Sequence, residues 1–297
     1  MRYINIDKLP DIFNELNAPE TTFDDWLEEA ECHLSNIREK SKKERSNYWA
    51  ENSHWTKLYS SLSKLSGEKC WYSESLENSC RWEVEHYRPK ARATIDNELV
   101  LKDGYWWLSY HWKNFRLAGS FVNKRSKDPF TKEDSVFGKG NYFPLDETST
   151  VAEPEDLYCS DEKPLLIDPI KPKDCTLISF DKNGDVYPTF SEEDSILKNK
   201  KAMFSIDYYG LRQTSLKRGR AKIWRKCEDI VSITGNEIKK YMDNENKREE
   251  IFDNCYLGLA NLYDISEPYT SVVKSFVKEK SKDKNYNWLS DAIYVLQ

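Results

Sequence analysis

The stretch Val84-Glu85-His86-Tyr87-Arg88-Pro89-Lys90 joins two acidic or imidazole groups and two cations within seven residues. A carboxylate can hold a divalent cation, a neutral imidazole can take a proton from water near pH 7, and Arg88 and Lys90 can meet phosphate oxygens. Together these groups describe a site that cuts phosphodiesters. The same residues also read as a strand end at the surface, with Arg88 and Lys90 only solubilising a turn, and seven residues do not separate the two readings.

The elements around this stretch follow from periodicity. Residues 81–87 put Trp82 and Val84 on one side and Arg81, Glu83 and Glu85 on the other, a period of two that predicts a strand ending at His86 and stopped by Pro89. A loop over 91–104 carries turn signals at Asp96-Asn97 and Asp103-Gly104. Tyr105-Trp106-Trp107-Leu108 reads as core or helix cap rather than a base-stacking platform. A second strand is expected over 114–118, with a turn at Gly119-Ser120 and Asn123 opening a helix across the hairpin.

The run Trp106-Trp107-Leu108-Ser109-Tyr110-His111-Trp112-Lys113-Asn114-Phe115-Arg116-Leu117, followed by Val122-Asn123-Lys124-Arg125 and Asn141-Tyr142-Phe143-Pro144-Leu145, resembles HNH endonucleases of the ββα-metal type. More narrowly, it is similar to the branch found as nuclease subunits of bacterial anti-phage systems, Septu-type and retron-associated, encoded beside an ATPase. The resemblance covers about half of the chain, residues 70–216, with fainter echoes as far as Val277. It makes His86, Asn114 and Asn123 the H, N and N of the motif. It implies that His86 deprotonates the attacking water and that Glu85 and Asn123 hold one Mg²⁺, with Mn²⁺ as the alternative because Glu85 stands where Asp is commoner. It also implies that Asn114 braces the loop holding His86, although a plain strand-cap role fits Asn114 equally well.

Many members of this family carry two C-x-x-C pairs that hold a structural zinc. The corresponding positions here are Cys70 with Ser73 and Gly119 with Val122, and one thiol cannot build a tetrahedral zinc site, so no structural zinc is expected. Apolar packing around Trp71, Phe121 and Val122 is expected to hold that knuckle instead. His33, His54 and His111 have no partner arrangement that reads as a metal site. They are taken as structural, which leaves His86 as the base.

Cations outside the centre supply candidate nucleic-acid contacts. Arg88, Lys90, Lys124 and Arg125 flank the motif, Lys124, Arg125 and Lys127 being expected near a helix N-terminus. Lys217, Arg218 and Arg220 belong to the densest basic run, 217–226; a solvated helix face or an acidic partner are the competing uses of these charges. A second cationic run, 38–45, reads as a solvated face. The net charge of −6 argues against a nonspecific nucleic-acid coat and confines any such contact to local patches.

Composition bounds the rest. Apolar residues make up 38 % and aromatics 13 % of 297 residues, enough for a real core despite 32 % charged residues. Seven widely spaced Cys, an odd number, read as free thiols of a reducing compartment. With no apolar run long enough to span a bilayer and no signal-like start, the chain is expected to be cytoplasmic, with no membrane partner. The expected fold is α+β: a helical lead-in over 1–67, an HNH core with a small accessory sheet over 68–190, and a helical region over 191–297.

Within the lead-in, Ile4 and Ile6 suggest an edge strand. Residues 22–52 read as one amphipathic helix, thinning after Ile37, and residues 53–66 as another. Residues 126–139 read as a polar insertion beside the cleft. Residues 165–168 read as a buried strand, with Asp168 a turn cap rather than a metal ligand, and residues 177–187 as a hairpin turning at Asn183-Gly184. Ser191 opens a helix, 229–259 form a long one, and a last runs from Glu267 through Val277.

The expected activity is that of a metal-dependent endonuclease cutting DNA, the effector of an anti-phage complex with an ATPase partner and, in the retron-type case, a reverse transcriptase and its DNA. Two alternatives stand beside it: a catalytically silent nucleic-acid-binding scaffold of such a complex, and a tRNA-cutting ribonuclease.

Overall fold

A computed structural model describes the chain except residues 78, 97–98, 132–135 and 297, so the turn signal expected at Asn97 lies outside the described residues. With 48 % helix and 9 % strand, the architecture is α+β.

The first segment forms no strand. Ile6–Lys8 is a 3₁₀ turn leading into α1 (Leu9–Asn17), because Pro10 fits a helix start, and Ile4 and Ile6 turn inward as anchors. The expected single helix over 22–52 is two, α2 (Phe23–Arg38) and α3 (Lys42–Glu51). Thr22 with Asp25 and Ser41 with Glu44 each build a reciprocal capping box, and the second starts a new helix where the apolar face runs out. Residues His54–Leu58 form a 3₁₀ turn before α4 (Tyr59–Leu65).

The central part is built from short two-stranded ladders: β1 (Glu83–His86), β2 (Ala93–Thr94), β3 (Val100–Leu101) and β4 (Phe115–Ala118), of which β1 pairs antiparallel with β4 and β2 with β3. In the β1–β4 register Glu83 faces Ala118 and His86 faces Phe115. The one-turn helix α5 (Ser120–Asn123) follows at once. Asn123 therefore closes this helix rather than opening it, and Lys124 and Arg125 lie past its C-terminal end, where the dipole offers no anion site.

Residues 126–139 are a small hairpin in their described part, β5 (Ser126–Lys127) against β6 (Val136–Phe137). Residues 165–168 are buried but form no ladder, their neighbour Pro164 making an isolated bridge with Leu145. Beyond them β7 (Ile178–Phe180) pairs with β8 (Val186–Pro188) around a turn in which Gly184 has φ +77°, a conformation that favours glycine.

The C-terminal region contains α6 (Ile196–Tyr208), α7 (Thr214–Ile238), α8 (Glu245–Leu262), α9 (Thr270–Lys280) and α10 (Ala292–Val295). The long helix expected over 229–259 is thus broken between α7 and α8, where Asn244 caps the second.

One apolar core runs through all three segments, from Met1 through Trp71, Phe115 and Phe143 to Phe276 and Leu296. A buried polar knot reinforces the seam. The Glu74 carboxylate lies 3.3 Å from the N-terminal ammonium and accepts from the Thr270 hydroxyl at 2.7 Å and the Ser271 N–H at 3.0 Å. Burial works to raise its pKa, but the N-terminal charge, these bonds and Lys69 outweigh it and hold the group down to about 2.

Candidate active site

His86 ends β1, where pairing with Phe115 fixes its backbone. Its ring packs edge-to-face on Trp55, 5.0 Å between centroids, and on Phe115 at 5.1 Å. Nε2 lies 2.9 Å from the Ser109 carbonyl oxygen. A carbonyl can only accept, so Nε2 carries the proton and Nδ1 the lone pair. Nδ1 has no protein partner among the described residues, and it is not one of the buried, unpartnered nitrogens, so it keeps a contact with solvent. Burial first, then the neighbouring Lys90 charge, holds the imidazole well below its ordinary pKa and therefore neutral near pH 7.

Glu85 is buried and both its oxygens are engaged. Oε2 accepts from the Tyr72 hydroxyl at 2.8 Å, and Oε1 pairs with the Lys139 ammonium, which also donates to the His86 carbonyl at 3.0 Å. Asn123 does not turn to Glu85. Its Nδ2 donates to Glu83 at 2.7 Å, and the same carboxylate takes the Lys124 ammonium. The Mg²⁺ or Mn²⁺ expected between Glu85 and Asn123 does not fit this arrangement, because an ammonium already stands on the carboxylate that would hold it. Among the described residues no cluster of three or more His, Cys, Asp or Glu is placed to hold a metal ion.

Asn114, just before β4, is buried and ties two loops together. Oδ1 accepts from the Arg88 N–H at 2.8 Å, while Nδ2 donates to the Arg88 carbonyl at 3.0 Å and the Leu108 carbonyl at 3.3 Å. With the Tyr87 N–H on the Asn114 carbonyl at 2.8 Å, the amide joins the residues after His86 to the segment that presents Ser109.

These residues border one small pocket of about 210 Å³, lined by Glu85, His86, Lys90, Asn123, Gly140 and Asn141 among others. Lys90 is its cation. The half-buried ammonium lies 4.3 Å over the Trp55 ring, and burial, opposed by Glu85, brings its pKa down to about 8.

The other cations expected to meet nucleic acid divide in three. Arg88 is withdrawn: its Nε donates to Glu162 at 2.7 Å, and its guanidinium lies over Phe143 at 5.2 Å. Arg220 is withdrawn as well, buried at 2 % exposure over Phe180 with Nη2 on the Leu211 carbonyl. In both, the apolar length of the side chain went into the core and the charge found an internal partner. Lys217 pairs with Asp185 at 2.7 Å and Lys124 with Glu83. Arg125 and Arg218 stay exposed, stacked on Tyr142 and Phe130, and Lys222, Arg225 and Lys226 keep a basic face on α7.

Of the four positions read as a degenerate zinc knuckle, Cys70 and Gly119 come together. The Gly119 N–H lies 3.3 Å from Cys70 Sγ, and the Trp71 N–H donates to the Leu117 carbonyl at 2.9 Å. Trp71 and Val122 pack inside, but Phe121 is half exposed, its ring edge-to-face with Phe137 at 6.4 Å between centroids, while the Trp82 ring lies against Gly119.

Sequence reasoning missed Ser109, which acts through its carbonyl and leaves no trace in side-chain type. It also missed Tyr72 and Lys139, whose link to Glu85 spans 13 and 54 residues. The glycines flanking Lys139 were the one available signal. Asp168, expected as a turn cap, does more than cap a turn. It accepts the Ile170 N–H at 3.2 Å and forms a bidentate, buried pair with Arg116, both bonds 2.8 Å.

No protein-family model, curated protein or solved structure matches the chain.

Proposed function

We propose that this chain is a phosphodiesterase of the HNH type that cuts DNA at the pocket bordered by His86, Lys90 and Asn123. The observation that carries the reading is the Nε2 contact of His86 with the Ser109 carbonyl, 2.9 Å, which leaves a neutral imidazole with its lone pair on Nδ1. Such a group accepts a proton from water as the water attacks phosphorus. Lys90 supplies positive charge for a phosphate oxygen, and Asn114 keeps the loop after His86 in register with the segment that orients it. The hairpin followed by a one-turn helix, with His86, Asn114 and Asn123 at its three corners, supports the assignment to this class. Membership of an anti-phage assembly with an ATPase, and a retron-type reverse transcriptase with its DNA, is the part of the proposal that rests on the resemblance alone.

Purified protein incubated with supercoiled plasmid in Mg²⁺ or Mn²⁺, beside His86→Ala, tests the activity, with a tRNA arm for the ribonuclease alternative. Nicking that disappears in the variant is expected. Absence of His86-dependent cutting of either substrate, in the chain alone and in the complex recovered with its partner, overturns the proposal. It would leave the silent-scaffold reading, which the ion pair on Glu85 favours.

A further inference from the structure

We propose that Lys139 is a resident counter-cation that holds the Glu85 carboxylate and keeps divalent ions off it, so that an ion binds there only after the Gly138-Lys139-Gly140 segment withdraws the ammonium. As a statement about activity this rests on the reading of the pocket as a phosphodiester-cutting site; as a statement about ion binding it stands on geometry.

Lys139 is 1 % exposed, and its ammonium touches Glu85 Oε1 and the His86 carbonyl. The Tyr72 hydroxyl takes the other carboxylate oxygen. A Mg²⁺ ion bonds oxygen at roughly 2.0–2.1 Å, so an ion on Oε1 would be pressed against a like charge. The two cations are alternatives.

The mounting of Lys139 ties it to the other proposed ligand. Gly138 and Gly140 have φ of +98° and +52°, and a Cβ on Gly138 would come within 2.0 Å of the Lys124 carbonyl oxygen. The close approach lets the Lys139 N–H bond the Val122 carbonyl at 2.8 Å and the Gly140 N–H bond the Asn123 carbonyl at 2.7 Å. The segment is therefore laced to the end of α5, and a movement that lifts Lys139 also shifts the backbone that carries Asn123. Substrate or partner contact with this exposed corner, which includes Arg125 and Asn141, is the event that would couple to it.

The test is Mn²⁺ binding to the full chain without nucleic acid, by calorimetry and by the shift in melting temperature. Wild type is expected to bind weakly and to melt at the same temperature with and without Mn²⁺. Lys139→Met is expected to melt lower without metal, to regain stability with Mn²⁺ and to bind it at least about tenfold tighter. Lys139→Arg, which keeps the cation, should stay as weak as wild type, and Glu85→Gln added to Lys139→Met should abolish the gain. Lys139→Gln repeats the comparison if the Met variant does not fold in the absence of metal. Wild type binding Mn²⁺ as tightly as the variants, a gain that survives Glu85→Gln, or neither neutral variant responding to Mn²⁺ would each overturn the proposal. Plasmid cutting is scored separately, so a Mn²⁺ response without cutting refutes the nuclease reading and leaves this one standing.

Discussion

His86 Nε2 sits 2.9 Å from the carbonyl oxygen of Ser109, a residue 23 positions away, and this single contact fixes which nitrogen of the ring is basic. The burial of the ring, which the Ser109 bond only partly offsets, has a consequence for stability. Burial lowers the pKa of His86 well below its ordinary value and that of His111 to about 4, and it lowers His33 and His54 as well. An unfolded histidine titrates near pH 6.5, so below that pH the unfolded chain binds more protons and folding is penalised. Stability is therefore full above about pH 6.5 and is lost as pH falls, for His111 between about 6.5 and 4. Urea midpoints should drop from pH 7.5 to pH 5, and His111→Gln should shrink the drop; a midpoint that is flat or rises toward pH 5 contradicts this.

The three amide bonds of Asn114 make a second prediction. Asn114→Asp keeps the shape but removes the donor to the Arg88 and Leu108 carbonyls and buries a charge. Asn114→Ala should cost about 1–3 kcal/mol in stability, and Asn114→Asp at least as much. The cutting rate of either variant, measured well below its melting temperature, should fall through the turnover rate more than through substrate affinity. Unaltered turnover in a folded variant would leave Asn114 as a strand cap only.

The Arg116–Asp168 pair is a buried, bidentate electrostatic link between β4 and the segment before β7. Arg116→Met leaves Asp168 buried without its partner and is expected to cost about 3–5 kcal/mol. Arg116→Lys should not rescue it, because an ammonium cannot give the two parallel bonds. Pairing Arg116→Met with Asp168→Leu should recover much of the loss. Denaturant unfolding of the single and double variants measures the coupling, and a single-variant loss under about 1 kcal/mol would refute it.

Lys90 is the one cation of the motif that borders the pocket. Lys90→Met should weaken binding of a labelled duplex to a similar degree across sequences and lower the salt dependence of the affinity by about one unit of log–log slope. In wild type the contribution should be present below pH about 8, where the ammonium is charged, and fade above it. Anisotropy titrations over a salt and pH series read both; a slope unchanged by the substitution would remove Lys90 from the phosphate contact.

Local chemistry was legible along the chain. The alternation before Pro89, the helix-opening Thr22 and the Asn183-Gly184 turn each act over a few residues, and the β1 strand, α2 and the β7–β8 hairpin follow from them, whereas the Ser41 cap that starts α3 went unread inside one long helical pattern. The grouping of Glu85, His86, Lys90 and Asn123 at one pocket was legible to the extent that residue spacing and a resemblance could bring them together.

What only tertiary structure decided is who pairs with whom inside. Arg88 and Arg220 look like surface cations in sequence, yet the core took their stems and gave their charges partners 74 residues away in one case and 9 in the other. Lys139, in a polar stretch between two glycines, became the counter-charge of Glu85 because desolvation makes an unpaired buried carboxylate too costly to keep. Periodicity and capping are set by neighbours in the chain, so sequence carries them. The partner of a buried charge is set by which distant group the fold brings within hydrogen-bond range, and that information exists only once the chain has packed.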